Sequence, residues 1–267
     1  MERAEGRGPR KLRPVRIVRA YLPNCTGSAL IRMGQTRVVC SATLEERVPH
    51  WLRGAGRGWV TAEYGMLPRS SRDRIARAAG GQVGGRTHEI QRLIGRSLRA
   101  VTDVKALGER QIIIDCDVIV ADGGTRTAAI TGSYVALYDL LAWMARNAIL
   151  PRIPLTDVIA AVSVGVVDGE ILLDLDYEED SSAQVDMNVV MTGSGRFVEV
   201  QGTGERRTFS REEMSQMTRL AGRGIERLFM KQKDALGIDT AGQTPLLPKN
   251  PSAAGEKGGP QGRPRTA

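Results

Sequence analysis

The apolar positions alternate or run together in short blocks over the first third of the chain. "PVRIVRAYL", "SALIRMG" and "TRVVCSATLEE" read as strands, with "NCTG" as the first turn. "RVPHWLRGAGRGWV" reads as a glycine- and arginine-rich loop, "TAEYGMLP" as a short strand, and "RSSRDRIARAAGGQVGGRTHE" as a second basic, flexible segment. The period then changes. Ile90, Leu93, Ile94, Leu98 and Val101 recur at helical spacing, predicting a helix from about His88 to Asp103 with Arg92, Arg96 and Arg99 together on its polar face. "RQIIIDCDVIVA" predicts a buried strand, and residues 125–147 a long helix. "LTDVIAAVSVGVV", "EILLDL", "AQVDMNVVMT" and "RFVEVQGT" predict four more strands separated by short turns. A last helix begins at "SREE", where Ser210 and Glu213 stand at the two positions of a capping box; its apolar positions include Met214, Met217, Leu220, Ile225 and Leu228.

This order predicts an α+β fold of two β-rich halves, each with helices packed on one face of its sheet, one spanning residues 1–150 and the other 151–240. From about residue 241 the chain turns to Pro, Gly, Ser and Lys, a composition that cannot bury enough surface to fold, so 241–267 is expected to be a disordered tail.

Composition narrows the function. Of 267 residues 41% are hydrophobic and 25% charged, the balance of a water-soluble protein. No apolar run approaches the roughly 18 residues of a membrane span. The first twenty residues are basic without an apolar segment, which excludes a secretory signal. Cys25, Cys40 and Cys116 lack metal-ligand spacing, and His50 and His88 are the only histidines, so a reduced, cytoplasmic protein without a zinc site is expected. The net charge is +8, and 32 of the 38 basic residues are arginine, the side chain that holds phosphate through two parallel hydrogen bonds. Residues 1–20 and 47–77 each carry seven basic and two acidic side chains, whereas 168–186 carries eight acidic and no basic ones. That separation points to a polyanion partner and a local acidic site. With aromatics at 4%, phosphate rather than a long series of stacked bases is the expected handle.

Three constellations carry candidate chemistry. Gly123, Gly124, Thr125 and Arg126 precede a helix and read as a phosphate cradle or as an ordinary glycine turn. "GGQVGGRTHE" lacks the Lys-Ser/Thr ending of a Walker loop, but it places Arg86 just before a helix, beside the dipole's positive end. In "LDLDYEEDSSAQVDMNV", Asp174 and Asp176 alternate with leucines as if facing solvent from a strand. Asp180 falls in a turn, and Asp186 sits inside a strand between Val185 and Met187, where it is either solvated from a half-exposed strand or, if buried, in need of a proton, a metal or a cation. Anion holders beside a carboxylate pair are the parts of phosphoryl-group chemistry.

Three of these stretches, "CDVIVADGGTRTAAITGSYVAL", "GRTHEIQRLIGRSLR" and "LDLDYEEDSSAQVDMNVVMTGSGRFVEVQGTGE", together with "TAEYGMLPRSSRDR", resemble the ribonuclease PH family of phosphorolytic exoribonucleases. The resemblance runs in order over about residues 5–240 and fits a single such unit, where polynucleotide phosphorylase has two. It implies two similar β-α-β halves with a ribosomal-protein-like domain fold, and removal of nucleotides from RNA 3′ ends, transfer-RNA precursors above all and ribosomal RNA in some members. Inorganic phosphate is the implied nucleophile, and the reverse nucleotidyltransferase reaction accompanies it. It further implies that Arg86, Gly124, Thr125 and Arg126 bind phosphate, that Asp180 and Asp186 are the catalytic carboxylates and the place for Mg²⁺, and that the chains assemble as a hexameric ring, a trimer of dimers. Arg69, Arg72, Arg74 and Arg77, with Arg92, Arg96 and Arg99, become the RNA contacts, and neither DNA nor a membrane is an expected partner. A catalytically silent ring subunit, a metal-dependent hydrolytic nuclease and a non-enzymatic RNA-binding protein are the competing readings.

Overall fold

A computed structural model describes residue 3 and residues 6–77 and 84–238. The segment 78–83, most of the glycine run ahead of Arg86, and the tail expected to be disordered lie outside these.

Two sheets hold the molecule. The first contains β1 (Val15–Arg19), β2 (Gly27–Met33), β3 (Thr36–Glu45), β4 (Trp59–Met66) and β5 (Gln111–Val120), in the order β1-β2-β3-β5-β4. Neighbours are antiparallel except β4 and β5, which run parallel because helix α1 (Gly85–Ala100) carries the chain back between them. The second sheet has the order β7-β6-β8-β9, from β6 (Ile159–Val167), β7 (Glu170–Leu173), β8 (Val185–Thr192) and β9 (Phe197–Thr203), all antiparallel. Between the sheets lie α1, α3 (Thr125–Arg146) and α5 (Arg211–Leu236). Helix α3 packs on β2 and β3 on one side and β6 on the other, α1 on β4 and β9, and α5 on β6 and β1. The buried apolar residues of both halves merge into one core.

The pattern explains most of this. In β5, Ile112, Ile114, Cys116 and Val118 point inward while Asp115 and Asp117 point out, so the strand expected to be buried is buried on one face only. Strand β6, an unbroken apolar run, is buried at every residue. Helix α3 is long and apolar enough to cross a membrane, yet 89% of its most apolar stretch is buried inside the protein, which makes it the core helix. It comes very close to β2: a Cβ on Gly27 would sit 2.2 Å from the Ala136 carbonyl oxygen. Helix α5 starts at the predicted box, with Ser210 Oγ accepting from Glu213 N (3.1 Å) and Glu213 Oε2 accepting from Ser210 N (2.8 Å).

Several expectations shift. Helix α1 starts at Gly85, so Arg86 lies within its first turn, and it ends at Ala100. Arg99 leaves the polar face: its guanidinium stacks 4.0 Å from the Trp59 ring centroid and donates to the Val60 carbonyl (2.6 Å), because α1 is flanked by β4 on that side. Met214 is 42% exposed. The loop after β3 contains a single 3₁₀ turn (His50–Leu52), and a short helix α2 (Val104–Leu107), capped by Asp103, follows α1. Between β7 and β8 the chain forms helix α4 (Tyr177–Ser182), so Asp180 is helical; Asp176 caps that helix in a second reciprocal box with Glu179.

Candidate active site

The acidic segment does not face solvent at its start. Asp174 is fully buried and accepts from Arg13 Nη2 at 2.8 Å, Nε at 3.2 Å and backbone N at 2.8 Å. Glu179, also buried, is held by Arg3 Nε at 2.6 Å and Arg7 Nη2 at 3.0 Å. The basic start of the chain and the acidic segment, distant in sequence, neutralise each other in space. Arg3, Arg7 and Arg13 are therefore spent inside the protein rather than on a polyanion.

That contact shapes the phosphate turn. Gly123 (φ +71°) and Gly124 (φ +64°) adopt the left-handed conformation that glycine tolerates. A Cβ on Gly123 would collide with the backbone of Leu175 and Asp176 at 2.6 Å, so the turn lies directly on the acidic segment. Arg13 donates to the carbonyls of Asp122 and Gly123, and Thr36 Oγ1 donates to Gly123 O at 2.7 Å. With its carbonyls engaged there, the turn enters α3 at Gly124 with no side-chain cap hydrogen bond, leaving the first-turn N–H groups for an anion.

A cleft of about 820 Å³ opens at this seam. Its lining brings together Arg86, Gly124, Thr125 and Arg126 from the first half with Asp180 and Asp186 from the second. Thr125 Oγ1 and Tyr64 Oη are hydrogen-bonded at 2.8 Å. Arg126 Nη1 donates to Gln201 Oε1 at 2.8 Å and lies 3.5 Å from Glu89 Oε1, while Gln201 Nε2 donates to the same Glu89 oxygen at 2.9 Å. This bridge aims Arg126 across the cleft. Tyr64, Glu89 and Gln201 are lining residues that the sequence pattern did not single out; "VEVQGTGE" contained Gln201, but nothing local marks its reach to a helix of the other half.

The two aspartates differ. Asp186 is pushed above the ordinary carboxylate range by burial, then by Asp180 and Glu205, with Arg126 opposing; its Oδ1 is buried without a hydrogen-bond partner among the described residues. Burial also pushes Asp180 up, although part of the side chain reaches solvent at the rim; Arg86, Arg126 and Arg13 pull it back down. Both carboxylates are thus held above their ordinary range, Asp186 by like charges as well as burial and Asp180 against the pull of three arginines. Among the described residues no three His, Cys, Asp or Glu side chains form a metal-ligating group. Mg²⁺ needs none: it is commonly bound by one or two carboxylates, with phosphate oxygens and water completing the shell. The pair fits that ion.

Of the proposed RNA contacts, Arg69, Arg74, Arg77 and Arg92 are exposed. Arg72 pairs with Glu178 and lies over the Tyr177 ring, and Arg96 pairs with Glu199. Arg99 is engaged by Trp59 and Val60, as described above.

Comparison with known proteins accords with this geometry. The chain is 61% identical to ribonuclease PH of Moorella thermoacetica over 89% of this chain and 95% of that protein. It is 56% identical to ribonuclease PH of Syntrophomonas wolfei over 89% of this chain and all of that one. Its fold matches a chain of the Archaeoglobus fulgidus exosome with RNA bound to the active site, with a TM-score of 0.73 at 20% identity, covering 86% of this chain and 92% of that one. Residues 11–141 match domain 1 of the 3′ exoribonuclease family and residues 157–224 match domain 2, and the chain belongs to that family.

Proposed function

We propose that this protein shortens RNA, transfer-RNA precursors first, from the 3′ end by phosphorolysis, using Arg86, Arg126 and the Gly124–Thr125 helix start to hold inorganic phosphate and Asp180 and Asp186 to serve the leaving group. A single observation carries the reading: the arginines and open helix start face, across one cleft, a half-buried carboxylate that is raised in pKa and whose buried Oδ1 has no hydrogen-bond partner among the described residues.

In the step this arrangement suits, an oxygen of the held phosphate attacks the phosphorus of the terminal phosphodiester in line with the departing O3′. The guanidiniums offset the repulsion between the two anions, and positioning makes the attack effectively unimolecular. The P–O3′ bond breaks, Asp186 gives its proton to O3′, and the products are a nucleoside 5′-diphosphate and an RNA one residue shorter with a free 3′ hydroxyl. A diester is exchanged for an anhydride, so the reverse reaction, addition from nucleoside diphosphates, belongs to the same site. Mg²⁺ at Asp180, with Asp186 beside it, would supply further charge neutralisation for the phosphate oxygens.

The same reading places the protein in the cytoplasm as a hexameric ring, which light scattering would register as six times the 29.0 kDa chain mass. The deciding experiment is trimming of a 3′-extended transfer RNA with and without phosphate. Phosphate-dependent release of nucleoside diphosphate is expected, with Arg126→Ala losing it while retaining RNA binding. Equal release of nucleoside monophosphate in both samples would overturn phosphorolysis.

A further inference from the structure

Tyr177 has no task in the chemistry above. It is half exposed in a protein with few aromatic residues, and it lines the cleft at the start of α4. Tyr177 and Asp180 stand three residues apart on that helix, neighbours on its surface at about 5–6 Å between Cβ atoms. The backbone N–H of Tyr177 reaches Asp122 Oδ1 of the phosphate turn at 3.5 Å, so the ring is carried at the seam between the anion-binding and acidic sides. Above the ring, the Arg72 guanidinium carbon lies 5.7 Å from the centroid.

We propose, on the phosphorolytic reading, that Tyr177 and Arg72 form a clamp that takes the 3′-terminal base of RNA between the phenol ring and the guanidinium. Two stacked gaps of about 3.5 Å need about 7 Å, so the observed 5.7 Å must widen by little more than an ångström. The arm can give: Arg72 is 78% exposed, and its exposed pairing with Glu178 on the same helix holds it weakly. Both planes accept any base, so the clamp fixes the position of the terminal nucleotide without reading sequence. A base seated on Tyr177 lies beside Asp180, three residues along α4, within the same cleft as Arg86 and Arg126. An enzyme that removes nucleotides one after another requires that property, because every new 3′ end must seat equally whatever its base.

The test uses a short RNA ending in 2-aminopurine, mixed with the full-length protein without phosphate so that no turnover occurs. Stacking quenches the fluorophore, so wild type quenches it on binding. Tyr177→Ala loses the quenching and raises KM for RNA about 5- to 150-fold, the effect of removing one base-aromatic stack. KM for phosphate stays unchanged. Tyr177→Phe behaves as wild type, and Arg72→Ala weakens RNA binding but keeps the quenching. Undiminished quenching by Tyr177→Ala overturns the proposal, as does Tyr177→Phe failing like Ala or KM for phosphate rising in parallel with KM for RNA. The quenching measurement does not depend on turnover, so failure of wild type to release nucleoside diphosphate would refute phosphorolysis while leaving the clamp to be judged separately.

Discussion

Replacing Arg13 with methionine tests whether the arginine-carboxylate contact holds the phosphate turn in place. The Arg13 side chain is 6% exposed and Asp174 fully buried, so the substitution strands a carboxylate in the interior. Removing one member of a buried ion pair costs about 3–5 kcal/mol. Asp174 would keep the backbone N–H of residue 13 at 2.8 Å and a distant guanidinium, Arg7 Nη1 at 3.9 Å, which together offset part of that. The expected loss is therefore at the low end, about 3 kcal/mol. Urea unfolding at fixed protein concentration measures it, because assembly would otherwise move the midpoint. Neutralising the stranded partner should help: Asp174 has φ +56°, where asparagine is well tolerated, so Arg13→Met with Asp174→Asn should recover at least half of the loss. Function should track geometry in the same variants. The Asp122 carbonyl loses its arginine donor and the Gly123 carbonyl keeps only Thr36 in both single and double variants, so KM for phosphate should stay raised even where stability returns. A single variant within about 1 kcal/mol of wild type, or a double variant less stable than the single, would refute the reasoning.

Asp186→Asn should lower kcat by about 10²–10⁴-fold, the usual share of a general acid, in single-turnover assays. The folded-state pKa of Asp186 is raised, so its folded form binds the proton more tightly than the unfolded chain does, and stability drops as pH rises through that value. The asparagine variant should accordingly melt above wild type at neutral pH and lose that advantage below about pH 4, where the unfolded carboxyl is itself protonated. Glu205→Gln removes one of the charges that raise Asp186, so the alkaline limb of the pH–rate profile should move to lower pH. Gly123→Ala meets Leu175 O at 2.6 Å from a left-handed residue, which costs about 1–2 kcal/mol before the collision is counted. It should lower the melting temperature and abolish phosphate-dependent trimming together.

What could be read from the sequence was local. The Ser210 box, the buried stripe of α1 and the glycine turn before α3 each depend on residues within a few positions of one another, and each stands where the pattern put it apart from a shift of helix ends. Asp174 did not, because alternation with leucines is also the pattern of a half-exposed strand, and the arginine that buries it lies 161 positions away. Arg99 failed for a related reason. Helical periodicity puts it beside Arg92 and Arg96, but periodicity carries no information that Trp59 of β4 will lie against that flank. Helix α4 was legible and overlooked: Asp176 and Glu179 have the spacing of a capping box, and that box makes Asp180 helical instead of part of a turn.

The segregation of charge along the chain takes on a different meaning in the folded molecule. Arg3, Arg7 and Arg13 are consumed by Asp174 and Glu179 and so hold the second half's acidic segment against the first half's glycine turn, while Arg19 is consumed within the first half by Asp139 of α3. The exposed positive charge is on other elements, at Arg69, Arg74 and Arg77 after β4 and at Arg92 on α1. These two sets differ in their sensitivity to salt, since exposed charges are screened over about 10 Å at 0.1 M whereas buried pairs are screened much less. Arg86 and Arg126 stand on helices of the first half and Asp186 on a strand of the second, so neither half lines the cleft alone. Arg3, Arg7 and Arg13 tie the two halves of the cleft together through buried pairs, whereas the exposed arginines remain open to solvent and to salt.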